Sequence, residues 1–433
     1  MARQIHRRDW LKAAAAALGA GAWAGPRALG GARPRLGPNE RLNIGVIGTA
    51  GRASSNIDGI RAENILAVCD IDDRLLDRAA DQFPKAKAFV DFRGLIDMPG
   101  LDAVVISTAD HTHAPAAAAA LRAGLNVYCE KPLTHTVFEA RTLAKLAAES
   151  KVATQMGTQI HATENYRRVV ELVRAGAVGP VRAVHVWLGA GKWGGGERPA
   201  DTPAVPKELH WDLWLGPAPS RPYHSTYLPA NWRRWWDFGN GTLGDMACHF
   251  MDLPFWALDL RHPTTVAAEG PPPHPETAPE RLTVRYEFPA RGDAPPVALT
   301  WYDGQGKPAA VEQLGIKGYP NGVLFVGDKG SLVADYDHHK LLPEGDYKDF
   351  APPPRTIAPS AGHHAEWIAA CKHGGPTSCN FDYSGALTEA VLLGTVAYRV
   401  GRKLDWDAAA LQATNCPEAD AYLRREYRAG WTL

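Results

Sequence analysis

The sequence predicts an α/β protein with a doubly wound parallel sheet in its N-terminal part. It predicts an α+β domain with an open, mostly antiparallel sheet in its C-terminal part. A glycine-rich turn directly follows the first apolar strand, and strand and helix patterns then alternate as far as Met156. After Gly157 most strand patterns follow one another without helices between them. We therefore expect one domain at residues 41–157 and a second at residues 158–433.

The composition is that of a two-domain protein without a charge bias. The 433 residues are 45% hydrophobic and 22% charged, which provides enough apolar chain for two cores. Lys and Arg together number 47, and so do Asp and Glu. Because there is no basic surplus, we expect no nucleic-acid partner.

The first strand pattern, residues 42–47, runs into a turn typical of dinucleotide-binding domains of the Rossmann type. Gly48 opens the turn, and Gly51 allows the backbone to approach a pyrophosphate. The helix that begins near Arg52 offers its unpaired N–H groups to the same anion. Ala50 and Ala53 stand where the usual pattern has glycines, so the assignment depends on the strand before the turn and the helix after it.

A carboxylate at the end of the second strand pattern favours NAD over NADP as the cofactor. Residues 65–69 form this apolar strand, and Asp70 follows about twenty residues beyond the turn. At that position a carboxylate accepts hydrogen bonds from both hydroxyls of the adenosine ribose. The alternative is that Asp70 only caps the next helix.

Three more strand ends supply candidate residues at the same edge of the sheet. The strand at 101–107 leads into a loop at 108–113, the strand at 125–129 leads into Glu130-Lys131-Pro132, and the strand at 152–156 precedes Gln159. Lys131 would place a cationic proton handler beside the nicotinamide. The two loop histidines have no ligand partners at suitable spacing, so we predict no metal. The predicted cofactor-binding residues are Gly48, Gly51, Arg52, Asp70, Thr108, His111, His113, Glu130, Lys131 and Gln159.

A second motif lies in a predicted helix introduced by the glycine-rich segment 239–244. Asp245, His249 and Asp252 have i, i+4, i+7 spacing and would share one face of that helix. Asp245 would fix the tautomer of His249, which would take a hydroxyl proton while Lys131 polarises the same oxygen. The open alternatives are a helix cap at Asp245 with a core histidine at 249, or a metal on the three residues.

These motifs together resemble the glucose-fructose oxidoreductase, inositol dehydrogenase and rhizopine-catabolism (Gfo/Idh/MocA) family. The resemblance covers nearly the whole chain that would remain after export. It implies a catalytic set of Lys131, Asp245 and His249, an NAD cofactor, and a small carbohydrate or polyol as substrate. We also expect a homo-oligomer, a dimer or a tetramer.

A long insertion at residues 189–244 holds six of the fourteen tryptophans. Flat aromatic faces suit the C–H groups of sugars, and nearby charged groups suit their hydroxyls. We therefore predict Trp193, Arg233 and Trp236 as substrate-binding residues. The alternative is that Trp211 and Trp214 fill a local core and the rest of the insertion makes a subunit contact.

The N-terminus reads as a twin-arginine export signal at residues 1–24, followed by a linker at 25–40. Arg7 and Arg8 precede an apolar run at 13–24, which is too short to span a bilayer. We therefore expect a periplasmic protein without stable membrane insertion. An oxidising compartment would permit a bridge between Cys371 and Cys379, which the sequence leaves open. We also expect the aromatic tail, residues 421–433, to dock on the protein.

The expected function is hydride transfer between a hydroxyl carbon of a carbohydrate or polyol and a tightly held NAD. Because a periplasm offers no obvious pool of free NAD, the cofactor would be reduced and reoxidised within one cycle. A first alternative is an NAD-dependent glycoside hydrolase or lyase that oxidises its sugar transiently to allow elimination. A second alternative is a non-catalytic periplasmic sugar-binding protein that has kept the fold.

Overall fold

A computed structural model describes residues 40–304 and 307–433 of the protein. The predicted export signal, residues 1–24, and all of the predicted linker except residue 40 lie outside the described residues. The fold class predicted from the sequence is confirmed, because a parallel sheet of six strands precedes a mixed sheet of nine strands. Within the described residues, no helix is both long and apolar enough to cross a bilayer.

All strand pairs of the first sheet are parallel, and neighbouring elements along the chain alternate between strand and helix. The strands are β1 Asn43–Ile47, β2 Asn64–Cys69, β3 Lys87–Phe89, β4 Ala103–Ile106, β5 Asn126–Cys129 and β6 Thr154–Met156. The helices are α1 Arg52–Gly59, α2 Asp73–Gln82, α3 Phe92–Ile96, α4 Asp110–Arg122 and α5 Val137–Ser150. The strand order β3-β2-β1-β4-β5-β6 reverses between β1 and β4, which opens a crevice at the carboxyl ends of these strands.

Helix α4 begins earlier than the sequence predicts. Residues from Asp110 onward are already helical, although the sequence places them in a loop. Pro115 lies inside this helix and has no N–H for the carbonyl of His111, four residues before it. Arg425 from the C-terminal tail supplies the missing donor, because its Nη2 donates to that carbonyl at 2.6 Å.

The second sheet is antiparallel except for one pair, β7 with β10. Its order is β13-β12-β11-β7-β10-β9-β8-β14-β15. The strands are β7 Val181–Leu188, β8 Thr265–Glu269, β9 Leu282–Phe288, β10 Val297–Asp303, β11 Asn321–Gly327, β12 Ser331–Ala334, β13 His339–Leu342, β14 Leu404–Asp407 and β15 Gln412–Ala413. The helices are α6 Glu164–Arg174, α7 Trp211–Leu215, α8 Gly241–Phe250, α9 Asp252–Leu258, α10 Ala309–Gln313, α11 His363–His373, α12 Phe381–Val400 and α13 Asp420–Leu423. Short 3₁₀ turns occur at Gln159–Ala162, Ser225–Tyr227, Asn231–Arg234, Glu344–Tyr347 and Pro417–Ala419.

Helix α12 joins the two sheets into one body. It packs against α5 beside the first sheet and against α8 and β8 beside the second. The backbone N–H of Met156 in β6 donates to the carbonyl of Cys379, just before α12, at 2.9 Å. Cys371 and Cys379 are free thiols, so the bridge that the sequence left open is not formed.

The insertion at residues 189–244 builds its own aromatic core. Trp214, Trp232 and Trp235 are buried together with Tyr227 and Phe238. The rings of Trp211 and Trp214 stack, with their centroids 4.6 Å apart. The alternative expectation, a local core that includes Trp211 and Trp214, is therefore the arrangement that the structure shows.

Candidate active site

A cavity of about 800 Å³ lies between the carboxyl edge of the first sheet and the wall formed by α8 and the insertion. One end, here called the Asp70 end, is lined by Gly48, Asp70 and Phe92. The other, here called the Lys131 end, is lined by Lys131 and His249. Residues after four different strands therefore share one continuous space, as the strand order of the sheet predicts.

The turn after β1 needs glycine at two positions for different reasons. Gly48 has φ +83°, and a Cβ there would lie 2.9 Å from the carbonyl oxygen of Ser107. Gly51 has φ +63° and precedes the first residue of α1, Arg52. No atom lies within 4 Å of where a Cβ of Gly51 would stand, so the backbone at the helix N-terminus is open to the cavity. This is the arrangement that a diphosphate requires.

Asp70 is oriented by the turn and does not cap α2. Its Oδ2 accepts from the backbone N–H and the hydroxyl of Thr49, at 2.9 and 2.8 Å. Its Oδ1 accepts from the backbone N–H of Asp72 at 3.2 Å. The cap of α2 is Asp72, which accepts from the N–H of Arg74. Burial raises the pKa of Asp70, and the hydrogen bonds from Thr49 oppose that shift. The interpretation of Asp70 as a helix cap is therefore wrong.

Glu130 ties the glycine turn to the strand that carries Lys131. Its Oε1 accepts from Arg52 Nε at 3.2 Å, from Asn56 Nδ2 at 3.0 Å and from Gln159 Nε2 at 2.8 Å. The Glu130 side chain is 6% exposed, so these donors hold it in an enclosed position. Because Lys131 directly follows Glu130, these hydrogen bonds also fix where the chain at Lys131 leaves β5.

Lys131 and Asp245 form a salt bridge at the Lys131 end of the cavity. Lys131 Nζ donates to Asp245 Oδ1 at 2.7 Å, and both side chains are largely buried. Asp245 also accepts from Trp193 Nε1 at 2.6 Å and from Arg233 Nε at 3.2 Å. Burial opposes ionisation of Asp245, but the charges of Lys131 and Arg233 outweigh it and hold the pKa of the carboxyl well below its usual range.

The carboxylate of Asp245 does not form a hydrogen bond with His249, contrary to the expectation from the sequence. No hydrogen bond joins the two side chains within the described residues, and His249 Nδ1 is enclosed without a partner there. Burial and the charge of Lys131 hold the pKa of His249 well below its usual value, which the carboxylate of Asp245 opposes. The imidazole is therefore neutral at physiological pH.

Asp252 lies outside the site, so the predicted triad divides. Helix α8 ends at Phe250, and Asp252 begins α9. The carboxylate of Asp252 accepts from His161 Nδ1 at 2.9 Å and from the Tyr383 hydroxyl at 2.7 Å, in a fully buried cluster. The i, i+7 spacing placed it on the face of Asp245, and the break between the two helices removes it from that face.

The structure moves two other predicted residues away from the cavity. The ring of His113 contacts the carbonyls of Pro132 and Thr108, at 2.8 and 3.1 Å, behind the cavity wall. Trp236 donates from Nε1 to the carbonyl of His274 at 2.9 Å and lies in the main core. The predicted cofactor contact of His113 and the predicted substrate contact of Trp236 are therefore corrected to structural roles.

The other predicted residues lie on the cavity wall or directly behind it. His111 lines the cavity and donates from Nε2 to the carbonyl of Trp214 at 2.8 Å, and burial lowers its pKa to about 3. Trp193 does not line the cavity and instead holds Asp245 from behind. The predicted residues that line the cavity are Gly48, Gly51, Arg52, Asp70, Thr108, His111, Glu130, Lys131, Gln159, Arg233, Asp245 and His249.

Sequence reasoning missed Asp110, which is 3% exposed and lines the cavity. Burial raises the pKa of its carboxyl to about 8, against the opposing charges of Arg233 and Lys131. Its position between Thr108 and His111, both singled out from the sequence, was a signal that could have identified it. Trp232 and Lys192 also line the cavity and were not selected.

Two family models match the chain and together cover about two thirds of it. The model for the NAD-binding Rossmann fold of the Gfo/Idh/MocA oxidoreductase family matches residues 42–158. The model for the C-terminal alpha/beta domain of the same family matches residues 166–332.

Individual relatives agree with the family models. The inositol 2-dehydrogenase of Rubrobacter xylanophilus is 33% identical over 153 residues, which is 33% of this chain and 42% of that protein. The match therefore spans less than half the length of that curated relative. GenD2 from gentamicin A biosynthesis, solved with NAD, superimposes with a TM-score of 0.59 at 21% identity, over 87% of this chain and all of its own. The WlbA dehydrogenase of Chromobacterium violaceum, solved with NADH and UDP-GlcNAcA, gives 0.61 at 17% identity, over 87% of this chain and 99% of its own.

The open turn at Gly51, the oriented carboxylate of Asp70 and the continuous cavity fit a dinucleotide, and the cofactor is NAD. The region matched by the Rossmann model contains the first sheet, and the region matched by the C-terminal model contains strands of the second sheet. The chain belongs to the Gfo/Idh/MocA oxidoreductase family.

Proposed function

We propose that the protein is an NAD-dependent oxidoreductase that transfers hydride between the nicotinamide and a hydroxyl-bearing carbon of a sugar or polyol. The observation that carries the proposal is the meeting of Lys131, Asp245 and His249 at the end of the cavity opposite Asp70. Asp70 would hold the adenosine ribose, and Lys131, Asp245 and His249 would then lie at the end of the cavity that receives the nicotinamide half.

Each of these three residues has a separate role in the proposed reaction. The imidazole of His249 is neutral and its Nδ1 is enclosed, which leaves Nε2 to accept the proton of the substrate hydroxyl. The ammonium of Lys131 donates to the same oxygen and stabilises the negative charge that develops on it. The salt bridge to Asp245 fixes the direction of that ammonium. When bound, NAD supplies the acceptor for the hydride that leaves the carbon.

The wall opposite the sheet would hold the substrate. Trp232 lines the cavity, and the guanidinium of Arg233 lies 4.2 Å from the centre of its ring. This pairing offers an apolar face for sugar C–H groups next to a hydrogen-bond donor for hydroxyls. Because Trp193 holds Asp245 from behind, we assign it a positioning role and not a contact with the substrate.

Asp110 favours a second candidate, an NAD-dependent glycoside hydrolase or lyase. In that scheme oxidation at C3 makes the C2 proton acidic, a base removes it, and the aglycone leaves with a proton from an acid. Water then adds, and the hydride returns to C3, so that NAD is regenerated. The scheme needs one proton-carrying group more than simple dehydrogenation, and Asp110 supplies a protonated carboxyl in the cavity at neutral pH.

The remaining expectations stay as proposals with their own support. Export to the periplasm rests on Arg7, Arg8 and the apolar run at 13–24. A closed redox cycle on a retained NAD follows from that location. The expected homo-oligomer rests on the family resemblance. Protein sequencing of the N-terminus of the periplasmic protein and light scattering of the purified protein test the location and the assembly.

The deciding experiment combines nucleotide release with a turnover assay. We would purify the protein without added nucleotide, denature it and identify what is released by absorbance and mass. The same preparation would be assayed with polyols, aldoses and aryl glycosides, following NADH absorbance and aglycone release, with Lys131→Ala as the inactive control. NAD in the released fraction and turnover of a polyol or aldose support the proposal. Aglycone release without net NADH supports the second candidate. A chain that neither holds nor takes up NAD overturns both.

A further inference from the structure

The C-terminal tail, residues 424–433, reaches the Asp70 end of the cavity. Trp431 lines the cavity together with Asp70, Asp91 and Phe92. The ring centroids of Phe92 and Trp431 are 5.9 Å apart, and the guanidinium of Arg93 lies 4.8 Å from the centre of the Trp431 ring. Asp70, which follows β2, would hold the adenosine ribose, so Trp431 lies at the end of the cavity that the adenine ring would enter.

The tail is fixed to both walls of the cavity. Arg428 donates to the carbonyls of Asp212 and Gly216 in the insertion, at 2.7 and 3.1 Å. On the side of the first sheet, Arg93 Nη1 donates to the carbonyl of Gly430 at 3.2 Å. The tail therefore bridges the two walls at this end of the cavity.

A second anchor holds the start of the tail. Arg425 donates to Glu139, the buried carboxylate at the N-terminus of α5, at 3.1 Å, and the hydroxyl of Tyr427 donates to the same oxygen at 2.7 Å. Arg425 also satisfies the carbonyl of His111 that Pro115 leaves without a donor. Helix α4 thus has a backbone carbonyl, that of His111, to which the tail supplies a donor.

We propose that residues 424–433 form a strap that completes the cofactor site, with Trp431 as the residue that contacts the adenine ring. The inference rests on the proposed function only in requiring that NAD occupies the cavity. An indole offers a flat apolar face to a purine, and stacking on such a face slows departure of the base. Because the strap bridges both walls, its contacts must open before the adenine half can leave. The strap therefore makes NAD a slowly exchanging group of the enzyme.

The test is the dissociation rate of NADH from the full chain. Protein loaded with NADH is mixed with excess NAD⁺ in a stopped-flow instrument, and the decrease of NADH fluorescence is followed. We expect Trp431→Ala to raise the dissociation rate about ten-fold or more, the scale of one lost stacking contact. Trp431→Phe should give a smaller increase, and removal of residues 427–433 an increase at least as large as that of Trp431→Ala.

Phe138→Ala provides the matched control, because Phe138 is an exposed aromatic residue that contacts Arg424 of the same tail and does not line the cavity. It should leave the dissociation rate unchanged. Arg93→Gln removes the contacts of Arg93 with the Trp431 ring and the Gly430 carbonyl but leaves the sequence of the tail unchanged. It should raise the rate and can be measured even if the shortened chain fails to fold.

Wild-type dissociation rates in Trp431→Ala and Arg93→Gln, with NAD-dependent turnover intact, overturn the strap and leave the proposed function standing. A wild-type protein that binds no NADH overturns both.

Discussion

The two walls of the cavity are built on different principles. The sheet wall consists of residues that directly follow parallel strands, such as Asp70 after β2 and Glu130 after β5. The opposite wall comes largely from the insertion, whose aromatic side chains first form a core of their own. A strand end fixes where the next side chain stands, whereas an irregular segment fixes it only through its own packing. Residue positions on the first wall can therefore be read from sequence more securely than those on the second.

The largest expected effect is the loss of activity when Lys131 is removed from the sheet wall at the Lys131 end of the cavity. Lys131→Ala should lower kcat about a hundred-fold to ten-thousand-fold, because the substrate oxygen loses its cationic donor and Asp245 loses its main partner. NAD binding should remain, since the turn and Asp70 are unchanged. Steady-state kinetics and NADH titration measure the two quantities. Lys340→Ala, an exposed lysine paired with Glu344, is the control. A wild-type kcat in Lys131→Ala would show that Lys131 takes no part in the chemistry.

A pair of tryptophans in the insertion sharpens the comparison. Trp232→Ala should raise the KM for the sugar about ten-fold, because Trp232 lines the cavity, and it should also lower the free energy of unfolding, because the ring is buried in the core of the insertion. Trp236→Ala should leave that KM unchanged and lower the free energy of unfolding by about 3 to 5 kcal/mol, because Trp236 is a core residue. Kinetics and urea unfolding of both variants separate the two effects. A KM change in Trp236→Ala without destabilisation would contradict its placement in the core.

The smallest expected effect concerns Asp110, whose pKa is raised by burial to about 8 in the folded protein. Between about pH 4 and pH 8 the folded chain holds a proton at this site that the unfolded chain has lost. The free energy of unfolding contributed by this group therefore falls as the pH rises across that window. Asp110→Asn removes this dependence, so its Tm advantage over wild type should grow as the pH rises and level off above pH 8.

Thermal unfolding of the two proteins from pH 5 to pH 9 measures this difference. A difference in Tm that is constant with pH would show that Asp110 is ionised throughout.

The sequence predicts the main sheets well because their strands are long or continuously apolar. Each of the five strands predicted for the first sheet is present. Short strands such as β3, with three residues, and β15, with two, escape because periodicity needs more residues than they contain. The early start of α4 escapes because Pro115 normally argues against a helix at that point, and the compensating donor, Arg425, is over three hundred residues away.

The position of a site residue could be predicted where that residue follows a strand. The hydrogen-bond partner of a site residue could not. The meeting of Lys131 with the helix that carries Asp245 follows from the motifs, but the partner of Asp245 does not. Helical spacing favours His249, one turn away, whereas the structure gives Asp245 to Lys131, which is 114 positions away. A charged partner binds a buried carboxylate more strongly than a neutral imidazole, and only the tertiary structure shows that the lysine is within reach.

The hydrogen bonds of Glu130 affect how the site responds when the cofactor binds and leaves. A carboxylate oxygen offers two lone pairs, and Oε1 of Glu130 has three donors, so one donor is in surplus. Arg52 is the donor with freedom to move, since its side chain is 44% exposed, whereas Asn56 is fully buried. Arg52 can turn to an arriving anion while the other two donors keep Glu130 in place. The surplus donor thus lets Arg52 bind an anion without releasing Glu130, the neighbour of Lys131.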